Sequence, residues 1–263
     1  MTCRDHGRLA SRNNAPPACS PGGCGIGCRA SKGIAVAQFH FVEDYERVVA
    51  HLLQTYPLDE AMSMAVGGRY EETGKIEAAV IRHAGLTDGM ALLDMGCGSG
   101  RLAAAISKEL SIYYTGIDIV QALLDYAASK SPTHYRFIKS HSLAIPMKNG
   151  SVDMVCAFSL FTHLLHAETY LYLEECRRIL KPGGSVVFSF LEFANPGHWQ
   201  AFATTVDAQR REIQSHLTQF IELPTIRTWA KHLGFSCEYI AGNESPWQST
   251  PALGQSIAIL RKR

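Results

Sequence analysis

The chain holds 263 residues, with 25 basic against 24 acidic side chains, 46% hydrophobic residues and eight cysteines. That length buries a sizeable core in one large domain, or in one domain plus a cap. A formal net charge of +1 leaves no electrostatic footprint for nucleic acid or a membrane surface, and no run reaches the ~18 apolar residues of a membrane span.

The first 37 residues are rich in Gly, Pro, Ser, Asn and Arg and show no periodicity. Residues 1–33 carry five basic side chains against one acid, too polar a composition to offset ordering entropy by burial, so 1–37 reads as a disordered tail. Cys3, Cys19, Cys24 and Cys28 fall in it, and the C-x4-C-x3-C spacing of the last three matches no zinc pattern, so no metal is expected. Cys97, Cys156, Cys176 and Cys237 are scattered singly. No apolar signal segment follows Arg4, Arg8 and Arg12, and the expected compartment is a reducing cytoplasm.

From Phe39 to Tyr56 the apolar residues recur at helical spacing until Pro57, and a second helix is predicted from Thr73 to Gly85. Met62 to Tyr70, with two glycines, reads as the loop between them. Residues 38–84 thus form a helical cap, and 85–263 form the main domain. There, short apolar runs at 90–95, 113–117, 135–138, 152–158, 185–191, 235–240 and 256–260 read as strands. Helices are predicted over 101–110, 122–130, 168–180 (stopped by Lys181-Pro182-Gly183-Gly184) and 226–233, with 192–225 irregular. This alternation predicts an α/β fold with an open, doubly wound, mostly parallel sheet.

In such sheets ligands bind beyond the carboxyl ends of the strands, where strand order reverses. Leu92-Leu93-Asp94-Met95-Gly96-Cys97-Gly98-Ser99-Gly100 falls where that site belongs. Its spacing is G-x-G-x-G, not the G-x-G-x-x-G of dinucleotide binders. Asp94 would repel a pyrophosphate but suits a ligand with an ammonium group. Asp118, ending the second strand, can accept both hydroxyls of a ribose. An ammonium, a small carboxylate and a free ribose describe S-adenosylmethionine (SAM) better than a nicotinamide dinucleotide.

The segments LLDMGCGSGRLA (92–103), TGID (115–118), IPMKNGSVDMV (145–155) and RRILKPGGSVVFS (177–189) resemble, in order and spacing, the class I SAM-dependent methyltransferases of small-molecule type. The resemblance implies a Rossmann-like seven-stranded sheet whose last strand pair is antiparallel, with SAM as cofactor. It implies that Gly96, Cys97, Gly98 and Gly100 hold the methionine end, Asp118 the ribose and Ile119 the adenine face, with Phe158 and Ser159 beside the sulfonium. The family's usual acid for the adenine amino group is replaced by His141, so His141 or the Ser142 hydroxyl would accept that bond. Plainer roles stay open: the glycines as a tight turn, Asp94 as loop support, Asp118 as a turn or N-cap residue.

Two motifs point elsewhere. Tyr126-x-x-x-Lys130 imitates a dehydrogenase pair, but it follows the second strand too soon and reads as surface helix. His163-x-x-His166 lacks a third ligand at metal spacing. Methyl transfer needs a base only for a hydroxyl or a charged amine. His163, four residues after Ser159, is the first candidate, ahead of Glu192 and His198. Acceptor walls are expected from Phe41, Tyr45, the Gly67-Gly68-Arg69-Tyr70 loop, Trp199 and the Trp247 loop. The expected function is methyl transfer to O or N of a small-molecule acceptor, with no nucleic acid or membrane partner. The rivals are a SAM-binding protein without turnover and a nicotinamide oxidoreductase.

Overall fold

The computed structural model describes residues 42–213, 217–242 and 250–263. The tail of residues 1–37 with its four cysteines, Phe39, Phe41 and the loop carrying Trp247 lie outside the described residues. Three helices come first, α1 (Val42–Thr55), α2 (Leu58–Ala65) and α3 (Tyr70–His83). Helix α2 takes Met62 to Ala65 from the loop expected over 62–70, and α3 takes Tyr70. Pro57 at its N-cap sets the entry, Asp59 and Glu60 complement the positive helix end, and Ala61, Met62 and Ala65 form a buried stripe. Only Val66 to Arg69 remains as loop.

The alternating part runs β1 (Ala91–Met95), α4 (Arg101–Ile106), β2 (Tyr113–Asp118), α5 (Gln121–Ser129), β3 (Arg136–Lys139) and β4 (Val152–Ala157). A 3-10 turn at Phe161–His163 precedes α6 (His166–Ile179) and β5 (Leu180–Phe190). Then come α7 (Pro196–Arg210), α8 (Leu223–His232), β6 (Phe235–Ala241) and β7 (Ser256–Lys262). Helix α7 occupies a stretch expected to be irregular. It buries only His198, so its apolar periodicity is faint, but it starts as a helix should: Asn195 caps it by accepting from the Gly197 N–H at 2.9 Å, with Pro196 in the first turn. Strand β5 starts before the Lys181–Gly184 stop, not after it. Leu180 pairs with Val152 and Ser185 with Met154, so the glycines form an irregular excursion inside the strand.

The strands lie in the order β3-β2-β1-β4-β5-β7-β6. All pairings are parallel except those of β7, which runs antiparallel to both neighbours. Successive residues feed opposite faces of the sheet. Leu93, Val155, Val186 and Phe188 pack towards α6 and α8, while Leu92, Met154, Val187 and Ile259 pack towards α3 and α4. A smaller cluster joins α1 and α2 to α5 through Val49, Met62 and Leu123. Val36–Arg263 forms one compact unit, so the helical segment packs into the same body as the sheet.

Candidate functional site

Strand order reverses between β1 and β4, and a cavity of about 530 Å³ opens there at the carboxyl ends of the strands. Gly96, Cys97 and Gly98 form one wall. Gly96, Gly98 and Gly100 all have positive φ, and a Cβ on Gly98 would stand 2.6 Å from Val66 Cγ1, so the loop needs glycine there. The Gly96 and Cys97 N–H groups donate to the Ile117 carbonyl at 2.8 and 3.1 Å. Gly100 does not line the cavity. It opens α4 in a left-handed conformation packed against Ala127. The Cys97 thiol faces Gly116, and burial pushes it well above the ordinary thiol range, so the sulfur is an inert packing group.

Three acids and one base face the same half of the cavity. Asp94 on β1 is 3% exposed, and the Tyr114 hydroxyl donates to its Oδ2 at 2.6 Å. Burial pushes its carboxyl up to about 7, with the Tyr114 bond pulling the other way. Asp118 ends β2. Its Oδ2 accepts from the Gly98 N–H at 2.9 Å, and its Oδ1 accepts from Ile119 and Val120 at 2.7 and 3.0 Å. Burial raises this carboxyl too, and the three backbone donors lower it. The carboxylate thus ties the glycine loop to the start of α5 while lining the cavity.

The other two members come from α3 and α4. Arg101 donates through Nε and Nη2 to Glu77 Oε1 at 2.8 and 2.6 Å, and its Nη1 donates to the Val66 carbonyl. Glu77 is 2% exposed, and burial raises its carboxyl although Arg101 pulls it down. Glu77 Oε2 has no hydrogen bond among the described residues. A buried carboxylate and a guanidinium side by side, with Asp94 near the glycines, match the charge pattern of a zwitterionic amino-acid group, so this donor set fits SAM. The sequence reading missed this pair. The legible signal was a lone acid set against Ile76 and the apolar run Ala78 to Ile81.

The opposite half is built after β4. Phe158 and Ser159 line the cavity, as do Leu160, Thr162, His163 and Leu164. His163 Nδ1 lies 2.9 Å from the Leu217 carbonyl oxygen. A carbonyl only accepts, so the ring donates through a proton on Nδ1. Ile119 and Ser142 line the cavity as well. His141 does not, although Ser140 and Ser142 on either side of it do, and its Nδ1 is buried without a partner among the described residues. Gln255, just before β7, reaches the same wall.

Several other residues lie apart from it. The Glu192 N–H donates to His198 Nδ1 at 3.1 Å and Ser256 Oγ donates to Glu192 Oε1, a buried cluster outside the cavity lining. Trp199 is exposed on α7. Tyr126 and Lys130 both bind Asp59, at 2.9 and 3.0 Å, pinning α2 to α5. His166 Nε2 sits 2.9 Å from the Phe220 carbonyl, and no cluster of three metal-ligating side chains occurs among the described residues.

Residues 93–188, from β1 to β5, match the family described as a methyltransferase domain. A ubiquinone biosynthesis O-methyltransferase of Sodalis glossinidius is 27% identical over 191 residues, 68% of this chain and 74% of that relative. An uncharacterized methyltransferase of Mycolicibacterium gilvum is 30% identical over 117 residues, 43% of this chain, and the match spans 44% of that relative's length. Among solved structures, the magnesium protoporphyrin IX methyltransferase (ChlM) of Synechocystis PCC 6803 with bound SAH, S-adenosylhomocysteine, is similar in fold. Its TM-score is 0.59 at 16% identity, over 85% of this chain and 96% of that one. With its glycine loop, its two strand-end acids and this sheet order, the chain is similar over residues 93–188 to the methyltransferase-domain family and has the fold of the class I SAM-dependent methyltransferases.

Proposed function

We propose that this protein transfers the methyl group of SAM to an oxygen or nitrogen atom of a small-molecule acceptor, with oxygen favoured. The observation that carries the reading is the two-sided cavity: charged groups on the β1–β2 half and an oriented His163 on the β4 half. Bound SAM supplies a methyl group already activated on a sulfonium. The chain's work is then to hold, align and dry the reactants, and alignment alone is worth on the order of 7 kcal/mol in good cases.

In this reading Arg101 receives the carboxylate of the methionine group, Glu77 and Asp94 receive its ammonium, and Asp118 receives the ribose hydroxyls. Ile119 flanks the adenine. Ser142, rather than the more distant His141, accepts from the adenine amino group. His163 takes the acceptor's proton, a task that arises for a hydroxyl and not for a neutral amine. A small acceptor agrees with the near-neutral composition and with relatives whose names refer to a quinone and a porphyrin.

Calorimetric titration with SAM and with NADH tests the cofactor, and tight NADH binding without SAM binding would overturn the reading. Methyl incorporation from labelled SAM into an acceptor panel separates an enzyme from a binding protein. His163→Gln is expected to lower turnover by about 100-fold or more while leaving SAM affinity unchanged. An undiminished rate would remove His163 from the chemistry.

A further inference from the structure

Strand register decides which side chains meet Asp94. Asp94 on β1 lies opposite Gly116 on β2 and Cys156 on β4, while Leu92, two residues earlier, lies opposite Tyr114. These positions share the sheet face that packs on α3 and α4. Gly116 puts no side chain directly across from Asp94, and the Tyr114 phenol reaches the carboxylate diagonally, donating to Oδ2 at 2.6 Å. The phenol ring is 1% exposed and stacks on Tyr135 with ring centroids 4.8 Å apart, and Phe137 lies at 5.8 Å. Its hydroxyl is therefore fixed in place.

The groups around Asp94 sort by charge. Glu77 on α3 and Asp118 at the end of β2 are acids, and Cys97 and Cys156 are thiols that burial keeps protonated. Arg101 on α4 is a cation, but its hydrogen bonds go to Glu77 and the Val66 carbonyl, and Asp94 has no ion pair among the described residues. The donors that reach Asp94 are neutral: the Tyr114 hydroxyl at Oδ2, and the Cys156 thiol, a weak donor, at Oδ1 and 3.5 Å. A hydroxyl bonded to a carboxylate favours its ionised form. Being uncharged, it leaves the negative charge for a ligand. A lysine or arginine in its place would also keep Asp94 ionised, but it would neutralise the carboxylate and repel an incoming ammonium.

We infer that Tyr114 is a positioning residue for cofactor binding: its hydroxyl fixes the Asp94 carboxylate at the cavity wall and holds it ionised, ready for the ammonium of the methionine group. The inference rests on the methyl-transfer reading and adds to it the residue that sets the pH at which the site engages its ligand.

The test is calorimetric titration of the full chain with SAH, which carries the same ammonium as SAM, from about pH 6 to 8.5. Tyr114→Phe removes the donor and keeps the ring. It is expected to move the rise in affinity up by about one pH unit, so that SAH binds about fivefold more weakly at pH 7 and within about twofold of the unsubstituted protein at pH 8.5. In an Asp94→Asn background, which has no carboxylate to titrate, the same substitution is expected to change SAH affinity by less than about twofold at any pH. Thermal melting confirms that each variant is folded. A loss of the same size at every pH, an unshifted profile, or an equal loss in the Asp94→Asn background would overturn the inference, because each is what a packing role alone predicts. A flat profile for the unsubstituted protein would overturn it as well. A protein that binds no SAH at any pH would overturn the methyl-transfer reading beneath it, which is a separate failure.

Discussion

The carboxyl of Asp94 is held up to about 7 by burial, so at neutral pH it sits between its two forms. In the unliganded protein the folded state keeps this proton more tightly than the unfolded chain, where an aspartate titrates near ~3.9. Asp94 therefore costs no stability below that pH, and its ionisation withdraws stability as pH rises from about 4 to about 7. Binding has the opposite sign. A ligand with an ammonium favours the ionised carboxylate, so SAM affinity is expected to climb between about pH 5.5 and 7.5, by up to about tenfold per unit at the acid end. Asp94→Asn should flatten that profile, and calorimetry across the range measures it. Asp94, Asp118 and the glycines were readable in the sequence because a strand, a turn and a helix start are adjacent in the chain. Glu77 and Gln255 were not, because only packing brings α3 and the segment before β7 to the cavity.

Helices α3 and α4 cross closely because Gly74 has no side chain: a Cβ there would stand 2.4 Å from the Arg101 carbonyl oxygen. Gly74→Ala must push the helices apart, and the expected cost is about 1–3 kcal/mol in chemical denaturation. The same shift should weaken SAM binding, since Glu77 and Arg101 sit on the two displaced helices. Between α2 and α3, Ser99 Oγ donates to the Met62 carbonyl at 3.0 Å and the Tyr70 hydroxyl donates to the Ser99 carbonyl at 2.9 Å. Both flanks of the loop are thereby fastened to the glycine loop, Val66 is held by Arg101, and only Gly67 to Arg69 is left to act as a lid. Added SAM or SAH is expected to protect that loop from protease, and unchanged cleavage would refute the lid. Elements with a clear apolar stripe or run, such as α3, α6 and β1, were legible in the sequence. Helix α7 was not, because its polar faces meet solvent on most sides, and α2 was hidden by its brevity beside two glycines.

At the scale of the molecule, the doubly wound order follows from alternating strands and helices, and the reversal between β1 and β4 gathers residues from both halves of the chain into one cavity. Alternation could not say where the final strand would go. It lies inside the sheet: β7 pairs Val186, Phe188 and Phe190 of β5 on one side and β6 on the other, with Ile257 to Leu260 at most 4% exposed. Order in space and order in the chain therefore diverge one strand in from the sheet's edge. A variant stopped at Gln255 should lose its cooperative melting transition and aggregate, because two facing strand edges are left open. During synthesis the consequence is one of timing. A nascent chain that has exposed everything through β6 still carries an unpaired apolar edge on β5. The barrel of the ribosome exit must release the residues after Gln255 before the sheet can close, and until then this edge is where a chaperone would bind.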